Sequence, residues 1–153
     1  MRLFRRILLP AAIILLAAMA NSSSSPATAQ QALPNPILVY SGAPEYVTTG
    51  GKSLIRYTYM VDNFSSYPDA MFAPAPGLPP CGQNTNSSRT WVDFFDQRGK
   101  RLNGFCALGK AENLNKIWFA LEAEEVPPSW VYIELTDRQT NTKYKSNLQE
   151  TTQ

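Results

Sequence analysis

Trp130-Val131-Tyr132-Ile133-Glu134-Leu135-Thr136-Asp137 is the stretch whose reading decides the fold. Its side chains alternate: Trp130, Tyr132 and Glu134 share one face, while Val131, Ile133 and Leu135 share the other. Only the second row is uniformly aliphatic, so the stretch reads as a strand with that row turned into a core. The aromatic row then faces outward. Asp137 to Asn141 supplies turn-forming residues, and Thr142 to Ser146 returns as the partner strand of a hairpin.

Working outward, the same grammar repeats. Ile117-Trp118-Phe119-Ala120-Leu121 and Trp91-Val92-Asp93-Phe94-Phe95 are rich in aromatic and β-branched groups and read as strands. Asp96-Gln97-Arg98-Gly99 turns the second of these into a returning strand, Arg101 to Leu108. Lys110 to Asn115 suits a single helical turn. Lys52 to Val61 is a strand entered from a Gly50-Gly51 turn, and Pro36 to Tyr40 suits an edge strand behind a proline. About seven short strands with no long helical period imply an all-β, antiparallel, immunoglobulin-like sandwich. The domain spans 36–147, with a flexible segment at 30–35 and a disordered polar tail at 148–153.

The first 29 residues read as a signal peptide. Arg2, Arg5 and Arg6 precede a 14-residue apolar run, Ile7 to Ala20, interrupted by Pro10. As a helix that run spans about 21 Å, against a hydrocarbon core of roughly 30 Å, so it is short for an anchor that stays in the membrane. Two small-x-small cleavage sites follow, Ala18-Met19-Ala20 and Ala27-Thr28-Ala29. Cleavage before Gln30 is preferred, because Ser22 to Ser25 and Pro26 break the helix just upstream. Cleavage after Ala20 stays open. The expected location is periplasmic or secreted, with no membrane insertion after cleavage.

Export changes two other readings. The full chain of 153 residues carries 14 Lys+Arg against 12 Asp+Glu. Without residues 1–29 the basic groups fall to 11, for a formal charge of −1, and nothing argues for a nucleic-acid partner. In an oxidising compartment the two cysteines, Cys81 and Cys106, form a disulfide most simply. An intermolecular bridge and a catalytic thiol are the alternatives, the latter weakened by the absence of any histidine. That absence also excludes a Ser-His-Asp triad and any imidazole metal site, and no cofactor is indicated.

One segment breaks the rhythm. Residues 63–88 hold five prolines (Pro68, Pro74, Pro76, Pro79 and Pro80) and no strand pattern, yet carry Phe64, Tyr67, Met71, Phe72 and Leu78. That is too apolar for a solvated linker. It reads as an ordered flap pinned by the disulfide, either sealing one end of the sandwich or presenting Tyr67, Met71, Phe72 and Leu78 to a protein partner.

Two resemblances follow from these residues. Trp130 to Asp137, with its turn and Thr142-Lys143-Tyr144, resembles the last hairpin of immunoglobulin-like and fibronectin-type-III-like modules. The run Tyr67 to Gly82, with Tyr-Pro-Asp, Ala-Pro-Ala-Pro and Leu-Pro-Pro-Cys-Gly, resembles small exported bacterial proteins of unassigned function. The resemblance implies the fold and an exported location, and carries over no catalytic residue. Cys81 in the loop departs from the sheet-to-sheet bridge of antibody-type domains.

The remaining candidates are set against plainer roles. Asp93 and Asp96 would suit carboxylate chemistry, but residues three apart in a strand face opposite ways. Asp96 is better read as a turn former and Asp93 as a solvated side chain. Asp62, Asp69 and Asp137 also suit turns. Asn63-Phe64-Ser65 and Asn86-Ser87-Ser88 match the short glycosylation pattern, which arises readily by chance. Trp91, Trp118, Trp130, Tyr132 and Tyr144 form either core or a sugar-stacking surface, with Trp130 and Tyr132 as the outward aromatic strip. The expectation is thus a non-catalytic binding or structural module contacting an envelope protein through the flap. A glycan-binding module is the alternative, and a carboxylate-based hydrolase stands third. Mass determination of the exported protein is expected to show an N-terminus at Gln30; a retained Met1 would overturn the export reading.

Overall fold

A computed structural model describes residues 32–81, 87–107 and 109–151. The expected signal peptide lies outside the described residues. Among these residues nine strands run in chain order: β1 (Leu38–Tyr40), β2 (Glu45–Thr49), β3 (Lys52–Val61), β4 (Thr90–Asp96), β5 (Arg101–Ala107), β6 (Ile117–Glu122), β7 (Trp130–Asp137), β8 (Thr142–Lys145) and β9 (Gln149–Glu150). All pairings are antiparallel.

In the first sheet β3 is central. β1 pairs its residues 59–61 and β2 its residues 52–56, while β6 pairs 54–59. β1 and β2 therefore follow one another along one edge of β3, and β6 takes the other. In the second sheet the order is β5-β4-β7, with β8 and β9 sharing the far edge of β7. The two sheets pack face to face as a sandwich-like all-β fold. Tyr57, Tyr59 and Val61 of β3 and Ile117 and Phe119 of β6 meet Val92 and Phe94 of β4 and Val131, Ile133 and Leu135 of β7, all buried. The aliphatic row of β7 faces inward, as its alternation requires.

Several turns carry their own chemistry. Gly50 and Gly51, at φ +60° and +78°, give the two positive φ angles that a tight two-residue hairpin needs between β2 and β3. Asp96 shapes the β4–β5 turn: its Oδ1 accepts from the N–H groups of Arg98 and Lys100, each at 2.8 Å. Gly99 there sits at φ +84°. Residues 111–115 form the expected helical turn, as a short 3-10 segment.

The sequence reading differs from the structure at both ends and at β2. Glu45–Thr49 shows no apolar period and buries nothing, so it forms a strand only because the Gly-Gly hairpin lays it against β3. Residues 33–35, expected to be flexible, are tied down. Leu33 packs on the core, and the carbonyls of Pro34 and Asn35 accept from the Tyr67 hydroxyl and the Asn63 amide. Residues 149–150 of the expected disordered tail pair with Val131 and Trp130 as β9, and Thr151 behind them is buried. The tail is polar and is ordered by backbone pairing, whereas 33–35 is held by the packing of Leu33 and by side-chain hydrogen bonds to its carbonyls.

Cys81 and Cys106 are joined in a disulfide with Cα atoms 5.7 Å apart, within the range such bridges adopt. Replacing both cysteines with serine is expected to lower unfolding free energy in urea by roughly 3.5 kcal/mol at most, the chain-entropy value for a loop of this length. A change below about 0.5 kcal/mol would show that the 81–106 segment is already confined by its other contacts.

Candidate functional site

The segment joining β3 to β4 turns its apolar side chains inward. Two short 3-10 turns, Phe64–Ser66 and Asp69–Phe72, fold back over the end of the sandwich. Tyr67, Met71 and Phe72 are all buried members of the main core cluster. The Tyr67 hydroxyl donates to the Pro34 carbonyl at 2.7 Å, and its ring meets Tyr144 edge-on at 6.3 Å. Thr90 Oγ1 donates to the Met71 carbonyl at 2.6 Å, and Gly109 N–H to that of Phe72 at 2.9 Å. Asp69 Oδ1 accepts from Ala111 N–H at 3.0 Å, which ties this turn to the 111–115 turn. Of the four residues expected as a contact surface, three are core; Leu78 alone is partly exposed. The physical reason is burial: large apolar groups in a segment without regular structure are more stable beneath it than on it.

A polar clamp holds the far end of the segment. Arg138, in the β7–β8 turn, donates to the carbonyls of Pro79 at 2.6 Å and Ser88 at 2.8 Å and lies against the Cys81 sulfur. The Ser88 hydroxyl donates to the Ala107 carbonyl. Beside this, Arg89 grips Asp137 with two parallel hydrogen bonds, 2.9 and 2.6 Å long. The Arg89 guanidinium holds the Asp137 carboxyl below the usual carboxylate range, against the opposing effect of burial, with help from the Gln139 N–H.

The outer face of the second sheet is the other candidate. Val92 and Phe94 point inward, so Trp91, Asp93 and Phe95 point outward. Their register partners on β7 are Thr136, Glu134 and Tyr132. Tyr132 stacks on Phe95 at 5.2 Å with an interplanar angle of 17°, and Lys145 Nζ lies 4.0 Å from the centroid of the same ring. Trp130, 41% exposed, continues the strip and exchanges hydrogen bonds with Gln97. Arg101 reaches Asp93 and lies 5.7 Å from the Trp91 ring. Gly104 makes this possible: a Cβ there would collide with the Arg101 guanidinium and the Asp93 carboxylate. A glycine inside a strand was the available signal for that close approach. Sequence reasoning placed Trp130 and Tyr132 outward but missed the cations that cover the rings. Lys143 pairs with Glu134 at 2.6 Å on the same face.

The remaining sequence candidates have structural partners. Asp93 is ion-paired and largely shielded rather than solvated, and Asp96 caps its turn. The Asn63 side chain bridges Ile37 N–H and the Asn35 carbonyl. Trp118 stands on the outer face of the first sheet with the Arg56 guanidinium 5.8 Å from its ring centroid. Tyr144 joins the core margin. Among the described residues no cluster of three or more Cys, Asp or Glu side chains is placed to hold a metal ion. No helix among them is long and apolar enough to cross a membrane.

Comparison with protein-family models, curated proteins and solved structures gives no match, so the functional reading rests on these residues.

Two substitution sets test the site. Phe72→Ala is expected to cost about 3–5 kcal/mol in urea unfolding, and Leu78→Ala about 1 kcal/mol or less. Equal small costs would mean that the segment is not core. Asp137, with its folded pKa depressed, contributes stability above the ordinary carboxylate range and loses it as pH falls through its folded value. Asp137→Asn is expected to cost about 3 kcal/mol at pH 7 and to make unfolding less pH-dependent below about pH 4. An unchanged acid profile would contradict the role of the Arg89–Asp137 pair.

Proposed function

We propose that the chain is an exported, non-catalytic binding module of the cell envelope or of a secreted assembly, built as an immunoglobulin- or fibronectin-III-type sandwich. It contacts a protein through the outer face of the β5-β4-β7-β8 sheet. Strand order supports the fold assignment. β1/β2, β3 and β6 lie in one layer and β4, β5, β7 and β8 in the other, so the chain crosses between layers after β3, β5 and β6. Such crossings leave β4 and β7 paired despite their distance in sequence, the Greek-key feature of those modules. The disulfide supports an oxidising compartment. Asp93 and Asp96, the residues weighed for hydrolysis, are already engaged, which favours a binding role.

The observation that carries the reading is the composition of the outer face. Trp91, Phe95, Trp130 and Tyr132 lie beside Arg101 and Lys145, and aromatic residues and arginine are enriched where proteins meet. Lys145 has its ammonium over Tyr132, which suits a partner surface presenting a carboxylate beside apolar groups. The same geometry disfavours the glycan reading. A sugar stacks on an open ring face, whereas Tyr132 lies between Phe95 and Lys145, and Arg101 lies over Trp91. The proline-rich segment frames this face: Cys106 shares the outward row of Trp91, so Pro79, Pro80 and Cys81 lie at its border.

A photo-crosslinking residue in place of Trp130, introduced in cells that make the protein, tests this. One discrete protein adduct is expected, weakened about tenfold by Lys145→Glu and absent when the crosslinker replaces Tyr46, an 80%-exposed residue of the first sheet. Equal adducts at both positions, or none at Trp130, would refute the assignment.

A further inference from the structure

The two open sides of the sandwich are closed differently. Along β1 and β9, Asn147 acts as a clasp: its Oδ1 accepts from Leu38 N–H at 2.8 Å, and its Nδ2 donates to the Leu38 carbonyl at 3.0 Å. On the other side, among the described residues, β5 pairs only with β4 and β6 only with β3, so two strand edges face each other. Asn103 Nδ2 makes a long contact, 3.5 Å, with the Trp118 carbonyl across this gap. Between the edges lies a cleft of about 380 Å³, lined by Asn103, Phe105, Asn113, Lys116, Ile117 and Trp118. That volume lies in the range of small-molecule sites.

Register decides what each residue offers. Phe105 pairs with the inward Val92 and Asn103 with the inward Phe94, so both side chains turn toward the space between the sheets. Ile117, the partner of Tyr59, does the same from β6. Phe105 and Ile117 thus make an apolar floor. At the mouth stands Trp118, 44% exposed. Asn103, half-buried, presents its carboxamide toward the same space. Among the described lining residues the one formal charge is the Lys116 ammonium. Glu45 lies within its electrostatic reach, but the close partner of Glu45 is Arg56.

We propose that this cleft binds an apolar carboxylate. The chain or ring of the ligand rests on Phe105 and Ile117 against Trp118, the carboxylate meets the Lys116 ammonium, and Asn103 Nδ2 donates to it. Charge complementarity selects the head group, since a cation beside the Asn103 carboxamide, with no acidic side chain among the described lining residues, favours an anion. The apolar floor selects the body. Such a group comes either from a free aliphatic or aryl acid or from the C-terminus of a peptide ending in an apolar residue. The site is separate from the contact face of the second sheet and stands or falls independently of it.

The test is a titration of the mature, disulfide-bonded protein with octanoate, followed by tryptophan fluorescence and compared with neutral octanamide. A saturable change is expected that disappears in Trp118→Phe, with octanamide binding about tenfold more weakly. Lys116→Met is expected to weaken octanoate about tenfold and leave octanamide and the melting temperature unchanged. A peptide ending in free leucine that competes, while its amidated form does not, assigns the site to chain ends; failure of both to compete assigns it to free acids. The proposal is overturned if octanoate shows no saturable change, if octanamide binds equally well, or if Lys116→Met has no effect on octanoate.

Discussion

Tyr59, Phe94 and Phe119 meet between the sheets with ring centroids 5.4–5.9 Å apart, and the rest of the structure depends on that contact. The rings come from β3, β4 and β6, and all three are fully buried. Tilted and offset rings at these separations add specific attraction to the hydrophobic gain of burying them. A one-residue slip in any of the three strands would turn its ring to solvent and its polar neighbours into the core. The cluster therefore sets register in both layers at once. Burial also pushes the Tyr59 phenol well above its ordinary ionisation range. Tyr57, stacked on Phe119 at 5.2 Å, extends the same layer toward the far end of β3.

How far the sequence discloses this depends on whether a segment has a period. β7 was legible because Val131, Ile133 and Leu135 alternate with Trp130, Tyr132 and Glu134, and the inward row is the one with no polar atoms. β3, β4 and β6 were legible from aromatic and β-branched content, and β5 as the strand returning from the Asp96–Gly99 turn. β2 and β9 were not, since backbone pairing makes them and their exposed side chains carry no pattern. Met71 and Phe72 show the sharper limit. Apolar residues in a segment without periodicity say that something is covered, not which side they face. Contacts distant in sequence decide it: Thr90 to Met71, and Gly109 to Phe72.

The molecule thus divides its work between two regions. At one end the 63–81 segment, the disulfide, Arg138 and the Arg89–Asp137 pair close the core. On the outer face of the second sheet, rings and cations are assembled without covering one another from solvent completely. The outward aromatic row of β7 was visible in the sequence. The role of Gly104 in letting Arg101 lie over Trp91 needed the β4–β5 pairing. A sheet face is rigid when the core beneath it is closed, and the buried side chains of 63–81 help to close that core.

Amide hydrogen exchange read by mass spectrometry on the oxidised protein tests the central claim, that the 69–72 segment is core rather than a displayed loop. The Met71 and Gly109 amides, which donate to the Pro68 and Phe72 carbonyls, are expected to exchange slowly, within about tenfold of those from β4 and β7. Full exchange of 69–72 within seconds, with β4 and β7 still protected, would contradict it.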